Sequence, residues 1–280
     1  MIQTRGELAA YLTEDLTLRP GQREAAQMAA WILEDTFGWT RVDVILEAEQ
    51  DVPMEAVAQV QGILRRLREG EPLQYILGKA TFLDLELTVD SRVLIPRPET
   101  EELVVWAAEL LQGKAPHVLD VGTGSGCIAL GIKHRVPGAQ VWGCDVSAPA
   151  LEVAQANSAD LGLDVAWMQV NILEEEPRVP PLQLLVSNPP YIGIDEAASL
   201  EEHVVAHEPH LALFAEGDPL LFYQALATQG ETLLAPNGEI LVEIHSNYAS
   251  ETKALFERSG YQTEMRQDLQ GRWRMLRAWK

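Results

Sequence analysis

From residue 117 to the C-terminus, short apolar runs alternate with stretches of helical periodicity, and that alternation restricts the fold more than any single motif. The runs at 117–121, 140–144, 165–171, 182–187 and 239–244 read as strands. Residues 125–135, 148–161, 219–234 and 250–259 carry helical spacing. Strands that alternate with helices build a mostly parallel sheet with helices on both faces, because a parallel connection must cross over the sheet. Two last strands, 261–266 and 272–279, are separated only by the polar turn 268–271 and must pair antiparallel. The expected fold is α/β, with a doubly wound, mostly parallel, seven-stranded sheet.

The N-terminal part is organised differently. Leu8, Tyr11 and Leu12 recur at helical spacing, as do Ala26, Ala29, Ala30 and Leu33 within 22–37. Pro53 stands at the head of another helix, which Gly70 ends. No heptad persists, so residues 1–74 are expected to form a small helical bundle rather than a coiled coil. At Phe82, Leu85, Leu87 and Val89 the period falls to two, and Asp90-Ser91 marks a turn before Val93–Ile95. Residues 75–98 are therefore expected to be a β-hairpin connector, and 99–280 the α/β domain.

Bulk properties exclude several classes. No apolar stretch approaches the length of a membrane span, and the N-terminus lacks the basic start and apolar block of a secretory signal, so a cytoplasmic address is expected. With 21 basic and 42 acidic residues the net charge is −21, which repels a phosphate backbone. The basic residues Arg272, Arg274, Arg277 and Lys280 partly alternate with apolar ones, as on the wet face of a strand. Cys127 and Cys144 fit no redox or zinc spacing and read as small buried hydrophobes. His203 and His207 are four apart but lack the remainder of a metal motif.

Chemistry-bearing residues gather where strands end. Asp120-Val121-Gly122-Thr123-Gly124-Ser125-Gly126 joins the first strand of the α/β domain to its helix. In a doubly wound fold this crevice is the default ligand site. The third glycine comes one place too early for a dinucleotide fingerprint, and a carboxylate at Asp120 suits a cationic ligand such as S-adenosylmethionine. Asp145 ends the next strand and can accept both hydroxyls of a ribose. The alternative duty there, capping the following helix, falls on Ser147, with Pro149 early in that helix. Asn171 ends the third strand with an amide able to pair with an adenine edge, and Ile172 can lie against the ring.

Asn188-Pro189-Pro190-Tyr191 follows the fourth strand. Two prolines hold a rigid extended corner and fix the residue before them. Asn188 is thus a stiffly held amide that can accept one hydrogen of an incoming NH2 group. The Pro189 carbonyl can accept the other, and Tyr191 can cover the flat face.

Together these segments resemble a class I S-adenosylmethionine-dependent methyltransferase. More closely, the chain resembles the PrmC/HemK family of glutamine N5-methyltransferases acting on peptide chain release factors. The resemblance rests on Ile95-Pro96-Arg97-Pro98-Glu99-Thr100-Glu101, on residues 120–126, on Ser187 to Tyr191, and on His207-Glu208-Pro209 before Leu211-Ala212-Leu213. It implies that Gly122, Thr123, Gly124, Ser125 and Gly126, with Asp120, line the methionine part of S-adenosylmethionine. It also implies that Asp145 holds the ribose and that Asn171 and Ile172 lie at the adenine. Asn188 would border the cofactor and bind the target amide, with Pro189, Pro190 and Tyr191 completing that pocket. The implied substrate is a class-1 release factor, docked by the N-terminal bundle, with no direct nucleic-acid or membrane partner. Where the family often has Asp and an aromatic residue, this chain has Asn171-Ile172.

Three other functions fit parts of the pattern. An adenine-N6 methyltransferase of nucleic acid would share the Asn-Pro-Pro-Tyr chemistry, but the net charge opposes it. A nicotinamide-dependent oxidoreductase needs a differently placed third glycine. A catalytically silent binding protein would have no use for Asn188.

Overall fold

In this computed structural model the described residues are all except Met1, 18–21, Lys114, 194–201 and Glu216, together with the side chains of 22–24 and 202–204. The backbone falls into two compact units, Met1–Gly78 and Lys79–Lys280.

The first unit contains five helices among its described residues: α1 (Arg5–Thr17), α2 (Gln22–Phe37), α3 (Arg41–Leu46), α4 (Met54–Arg68) and α5 (Leu73–Leu77). Leu8, Leu12 and Leu16 of α1 share one core with Ala29, Ile32 and Leu33 of α2 and Val60, Leu64 and Leu67 of α4. These residues recur every three or four positions, which places them on one helical face. Pro53 is the N-cap of α4, as its position in the sequence suggests. The short α3 fully buries none of its residues and is held by a capping box. Thr40 accepts from the Asp43 N–H, and Asp43 accepts from the Thr40 N–H.

The second unit opens with a hairpin of β1 (Lys79–Phe82) and β2 (Leu85–Thr88). The hairpin reverses at Leu83-Asp84; Asp90-Ser91 does form a turn, with the Val93 N–H donating to the Asp90 carbonyl over 3.1 Å, but Val93–Ile95 after it is not a strand. Leu83 adopts φ +56°, a conformation that glycine or asparagine usually signals, so the turn carries no sequence mark. The Leu83 N–H donates to Glu101 Oε1 over 2.8 Å, which helps to hold it. Residues 75–77, assigned to the hairpin by periodicity, are helical and fall in the first unit.

After the hairpin come α6 (Pro98–Leu111), β3 (His117–Val121), α7 (Cys127–Arg135), β4 (Gln140–Asp145), α8 (Ala148–Leu161), β5 (Ala166–Gln169) and β6 (Leu182–Ser187). Next are β7 (Ile192–Gly193), α9 (Glu202–His207), α10 (His210–Leu213), β8 (Phe214–Ala215), α11 (Leu221–Leu233), β9 (Leu234–Glu243), α12 (Ala249–Arg258), β10 (Gln262–Gln267) and β11 (Trp273–Trp279). The sheet has seven strands in the order β10-β11-β9-β6-β3-β4-β5. β11 runs antiparallel to both of its neighbours, and the other pairings are parallel. The order reverses between β3 and β6, and at such a switch point the crevice opens for a ligand.

Period-two alternation divides the sheet between two cores. Val118, Leu184, Leu241 and Met275 face one side, where Leu103, Val104 and Ala107 of α6 cover them. Leu119, Leu185, Ile240 and Leu276 face the other, against Tyr223, Leu226 and Ala227 of α11 and Phe256 of α12. β5 stops at Gln169, so Asn171 lies two residues beyond the strand.

One glycine shows how tightly the edge is packed. Gly143 on β4 is in register with Trp167 on β5. A Cβ on Gly143 would lie 2.4 Å from Trp167 Cζ3 and 2.6 Å from Cε3. The indole is large and packed, so Gly143→Ala should lower stability by about 1–3 kcal/mol. Urea unfolding of the two proteins checks this, and an unchanged midpoint contradicts it.

Candidate active site

The parallel strands bring their carboxyl ends into one row. Val121 is in register with Cys144 and with Ser187, and Ser187 with Val242. The next residues, Asp145, Gly122, Asn188 and Glu243, therefore stand side by side at the ends of β4, β3, β6 and β9. Ser187 ties two of these ends together by donating its hydroxyl to the Val121 carbonyl over 2.7 Å.

The glycine loop is fastened to β4. The N–H groups of Gly122 and Thr123 both donate to the Cys144 carbonyl, at 2.9 and 3.0 Å. Gly122 and Gly124 have φ of +70° and +55°, and a Cβ on either would meet nothing within 4 Å. Their bare backbone thus faces open space where a ligand can lie against it. Gly126, with φ +83°, is different: a Cβ there would lie 2.9 Å from Trp167 Cη2. Gly126 is the N-cap of α7, so that helix starts two residues later than its periodicity suggests.

Asp120 is fully buried beneath the loop. Its Oδ2 accepts from Thr123 Oγ1 at 2.5 Å and from the Ala129 N–H at 3.2 Å, while Oδ1 has no hydrogen-bond partner. Burial pushes this carboxyl up to about 7, against the pull of those two bonds. A cation bound nearby would favour the ionised form, so the donor set fits a cationic ligand. Asp120 holds its proton more tightly in the folded protein than in the unfolded chain. Its contribution to stability is therefore full below the ordinary value of 3.8 and is lost as pH rises towards about 7. Asp120→Asn should remove that decline in ligand-free protein. Parallel urea titrations across the window check it, and equal pH slopes for both proteins contradict it.

Asp145 is held by backbone. Its Oδ2 accepts from the Gly124 N–H and its Oδ1 from the Ser147 N–H, each at 2.9 Å. Burial raises its carboxyl above the usual range. Each oxygen keeps a lone pair for a hydroxyl. Ser147 caps α8 as expected, accepting from the Ala150 N–H at 3.2 Å, with Pro149 in the first turn. Asn171 is engaged locally: its Oδ1 accepts from the Leu173 N–H at 3.2 Å. Ile172 is buried in the core with Tyr223 and Ala227.

At the other end of the row a hydrogen-bonded chain links the half-buried Asn188 and Tyr191 through the buried Thr100 and Glu243. Asn188 Nδ2 donates to Thr100 Oγ1 at 3.1 Å, and Thr100 donates to Glu243 Oε2 at 2.7 Å. The Tyr191 hydroxyl donates to Glu243 Oε1 at 3.1 Å. Pro189 is buried and Pro190 half-buried. Burial raises the Glu243 carboxyl, opposed by its bonds to Thr100 and Tyr191 and by Arg274. Burial likewise raises the Tyr191 hydroxyl well above its usual value. The segments at 95–101 and 207–209 also meet: Arg97 Nη2 donates to Glu208 Oε1 at 2.6 Å, and Glu208 is buried.

Sequence reasoning gave no role to Glu243 or Asn157. A lone acid at the end of the apolar run Ile240–Val242 was the available signal for Glu243. Asn157, buried on α8, donates to the carbonyls of Thr88 and Ser125, at 3.0 and 2.9 Å, which joins the hairpin to the glycine loop. Cys144 is buried as expected, whereas Cys127 is only half-buried, at the margin of the core; burial pushes the Cys127 thiol up to about 12 and raises that of Cys144. No group of three or more His, Cys, Asp or Glu among the described residues is arranged to hold a metal; the His203 side chain lies outside those residues. No described helix is long and apolar enough to cross a membrane. In the C-terminal basic patch, Arg277 forks onto Glu239 at 2.7 and 2.8 Å, and Arg274 lies 3.4 Å from Asp268.

The sheet order, the glycine loop at the switch point and the acid ending the next strand define a class I methyltransferase. The catalytic domain of hMettl16 shares this fold, with a TM-score of 0.57 at 16% identity, over 80% of this chain and 81% of that one. Family models for the PrmC N-terminal domain and the methyltransferase small domain match residues 8–78 and 104–219. The release factor glutamine methyltransferase of Deinococcus radiodurans is 36% identical over 97% of each chain. That of Flavobacterium psychrophilum is 37% identical over 88% of this chain and 89% of its own length. The chain belongs to the family of release factor glutamine methyltransferases, PrmC.

Proposed function

We propose that this chain uses S-adenosylmethionine to methylate the side-chain amide nitrogen of the glutamine in the Gly-Gly-Gln loop of class-1 release factors. The observation that carries this reading is the row Asp145, Gly122, Asn188, Glu243, which sets a ligand cradle beside a rigid amide. Gly122, Thr123, Gly124, Ser125 and Gly126 would hold the methionine part, with Asp120 beneath them. Asp145 would hold the ribose, and Asn171 and Ile172 would border the adenine. When bound, S-adenosylmethionine supplies an electrophilic methyl group on a sulfonium.

The chain's task is to make a poor nucleophile react. An amide nitrogen shares its lone pair with the carbonyl. Asn188 Oδ1 accepts one of its hydrogens and the Pro189 carbonyl the other, which orients the nitrogen and stabilises the positive charge that grows on it. Tyr191 closes the flat face. The nitrogen gains its bond to the methyl carbon as the sulfur–carbon bond breaks, and then loses one proton to solvent. Alignment and fixed dipoles supply most of the rate.

The helical unit is proposed to dock the body of the release factor. One methyl-incorporation assay tests this together with the choice of substrate. The full chain should modify an intact release factor and leave adenine-containing duplex DNA unmodified. Residues 79–280 alone should lose more activity on the intact factor than on a Gly-Gly-Gln peptide. Equal losses would contradict docking, and labelled DNA would contradict the substrate.

A further inference from the structure

Thr100 carries a single hydroxyl proton and gives it to Glu243 Oε2 at 2.7 Å. Its oxygen can then only accept, and the Asn188 NH2 group donates to it at 3.1 Å. With the Asn188 amide turned over, Oδ1 would face an oxygen that has no proton to share. An asparagine amide is nearly symmetric in shape, so only its hydrogen bonds distinguish the two orientations.

Resting on the function proposed above, we propose that Thr100 and Glu243 are positioning residues that lock the Asn188 amide with its NH2 inward and its Oδ1 free for the substrate amide. The lock is anchored at both carboxylate oxygens and at the backbone carbonyl of Glu243. Glu243 Oε1 accepts from the Tyr191 hydroxyl at 3.1 Å, and the Glu243 carbonyl accepts from Tyr223 at 3.0 Å. Thr100 and Glu243 are each 2% exposed, so water does not compete for these bonds. Thr100 is the sixth residue of the 95–101 segment and buries its side chain from the first turn of α6. That segment therefore serves the acceptor site although it lies far from Asn188 in the sequence.

The direction of the chain depends on Glu243 being an acceptor at both oxygens. A neutral glutamine at 243 has the same shape but can donate from one end. Its NH2 would then donate to Thr100, and the Thr100 proton would turn to Asn188 and favour the flipped amide. The charge on Glu243 is set by burial, by the bonds from Thr100 and Tyr191, by Arg274 and by Glu99. Tyr223 and Cys127 also lie within its field.

Steady-state methylation of an intact release factor tests the inference. T100V keeps the shape and removes the hydroxyl, so kcat should fall about tenfold, as for one lost positioned hydrogen bond, with KM for S-adenosylmethionine unchanged. T100S restores the hydroxyl and should recover most of the rate. E243Q should lower kcat comparably. In the T100V background E243Q should cost little more, because both act through one oxygen. A purely structural role predicts instead that the two losses multiply and that kcat follows the thermal midpoint across the set. Multiplying losses, or T100V and E243Q both at wild-type kcat while N188A is impaired, overturn the inference. E243Q reads the same network without altering Thr100, so the test stands even if T100V folds poorly. An N188A protein as active as wild type would overturn the acceptor reading on which the inference rests.

Discussion

Asn188→Ala should lower kcat about 100-fold or more while changing the affinity for S-adenosylmethionine far less, because removing one positioned group from a developing charge typically costs that much. Asn188 is held three ways. Ser187 is pinned to the Val121 carbonyl, Pro189 fixes the backbone after it, and Thr100 accepts from its Nδ2. The freedom of the amide is removed before substrate arrives, so its oxygen acts without reorganising. Alanine keeps the backbone corner and the fold but leaves one amide hydrogen of the substrate without a partner. Single-turnover kinetics with saturating methyl donor, beside equilibrium titration of the donor, separates the two effects. A loss of donor affinity as large as the loss of rate would place Asn188 in the cofactor site rather than the acceptor site.

Asp145→Ala should act at the other step, weakening S-adenosylmethionine binding about 10- to 100-fold, as expected for the loss of hydrogen bonds to a charged group. Two effects add. The ribose would lose its acceptor, and the Gly124 N–H would lose the carboxylate that holds the loop in its left-handed conformation. Because the acceptor site is untouched, the rate at saturating donor should be largely preserved. Calorimetric titration gives the affinity, and wild-type affinity in the variant contradicts the assignment. The ordering of the two variants, one in rate and the other in binding, follows from their places on opposite sides of Gly122 in the row.

Much of this site was legible because strand ends are legible. Apolar runs such as 182–187 have the length of buried strands, and Asp120, Asp145, Asn171 and Asn188 stand at or just beyond the ends of four of them. Parallel strands then bring those ends together without further information. What periodicity cannot give is the partner of a buried polar group. Thr100 sits within the 95–101 segment, yet its bond to Glu243 spans 143 positions and depends on the register of β9 with β6. Asn157 reads as an ordinary helical residue until the hairpin and the glycine loop are placed against it. The hairpin turn was misplaced for a local reason: Leu83 adopts φ +56° but carries no turn chemistry of its own. The short β5 is similar. Residues 165–171 are apolar enough for a longer strand, but the chain turns at Asn171, whose carbonyl and side chain are spent on the N–H groups of residues 173–175.

Mass spectrometry of a digested class-1 release factor tests the central claim most directly. After incubation with this protein and S-adenosylmethionine, the peptide containing Gly-Gly-Gln should gain a single methyl group, and fragmentation should place it on the glutamine side-chain amide. The same peptide should be unmodified when either the protein or the methyl donor is left out. A release factor that remains unmethylated at that glutamine, or that is methylated at another residue, would contradict the account.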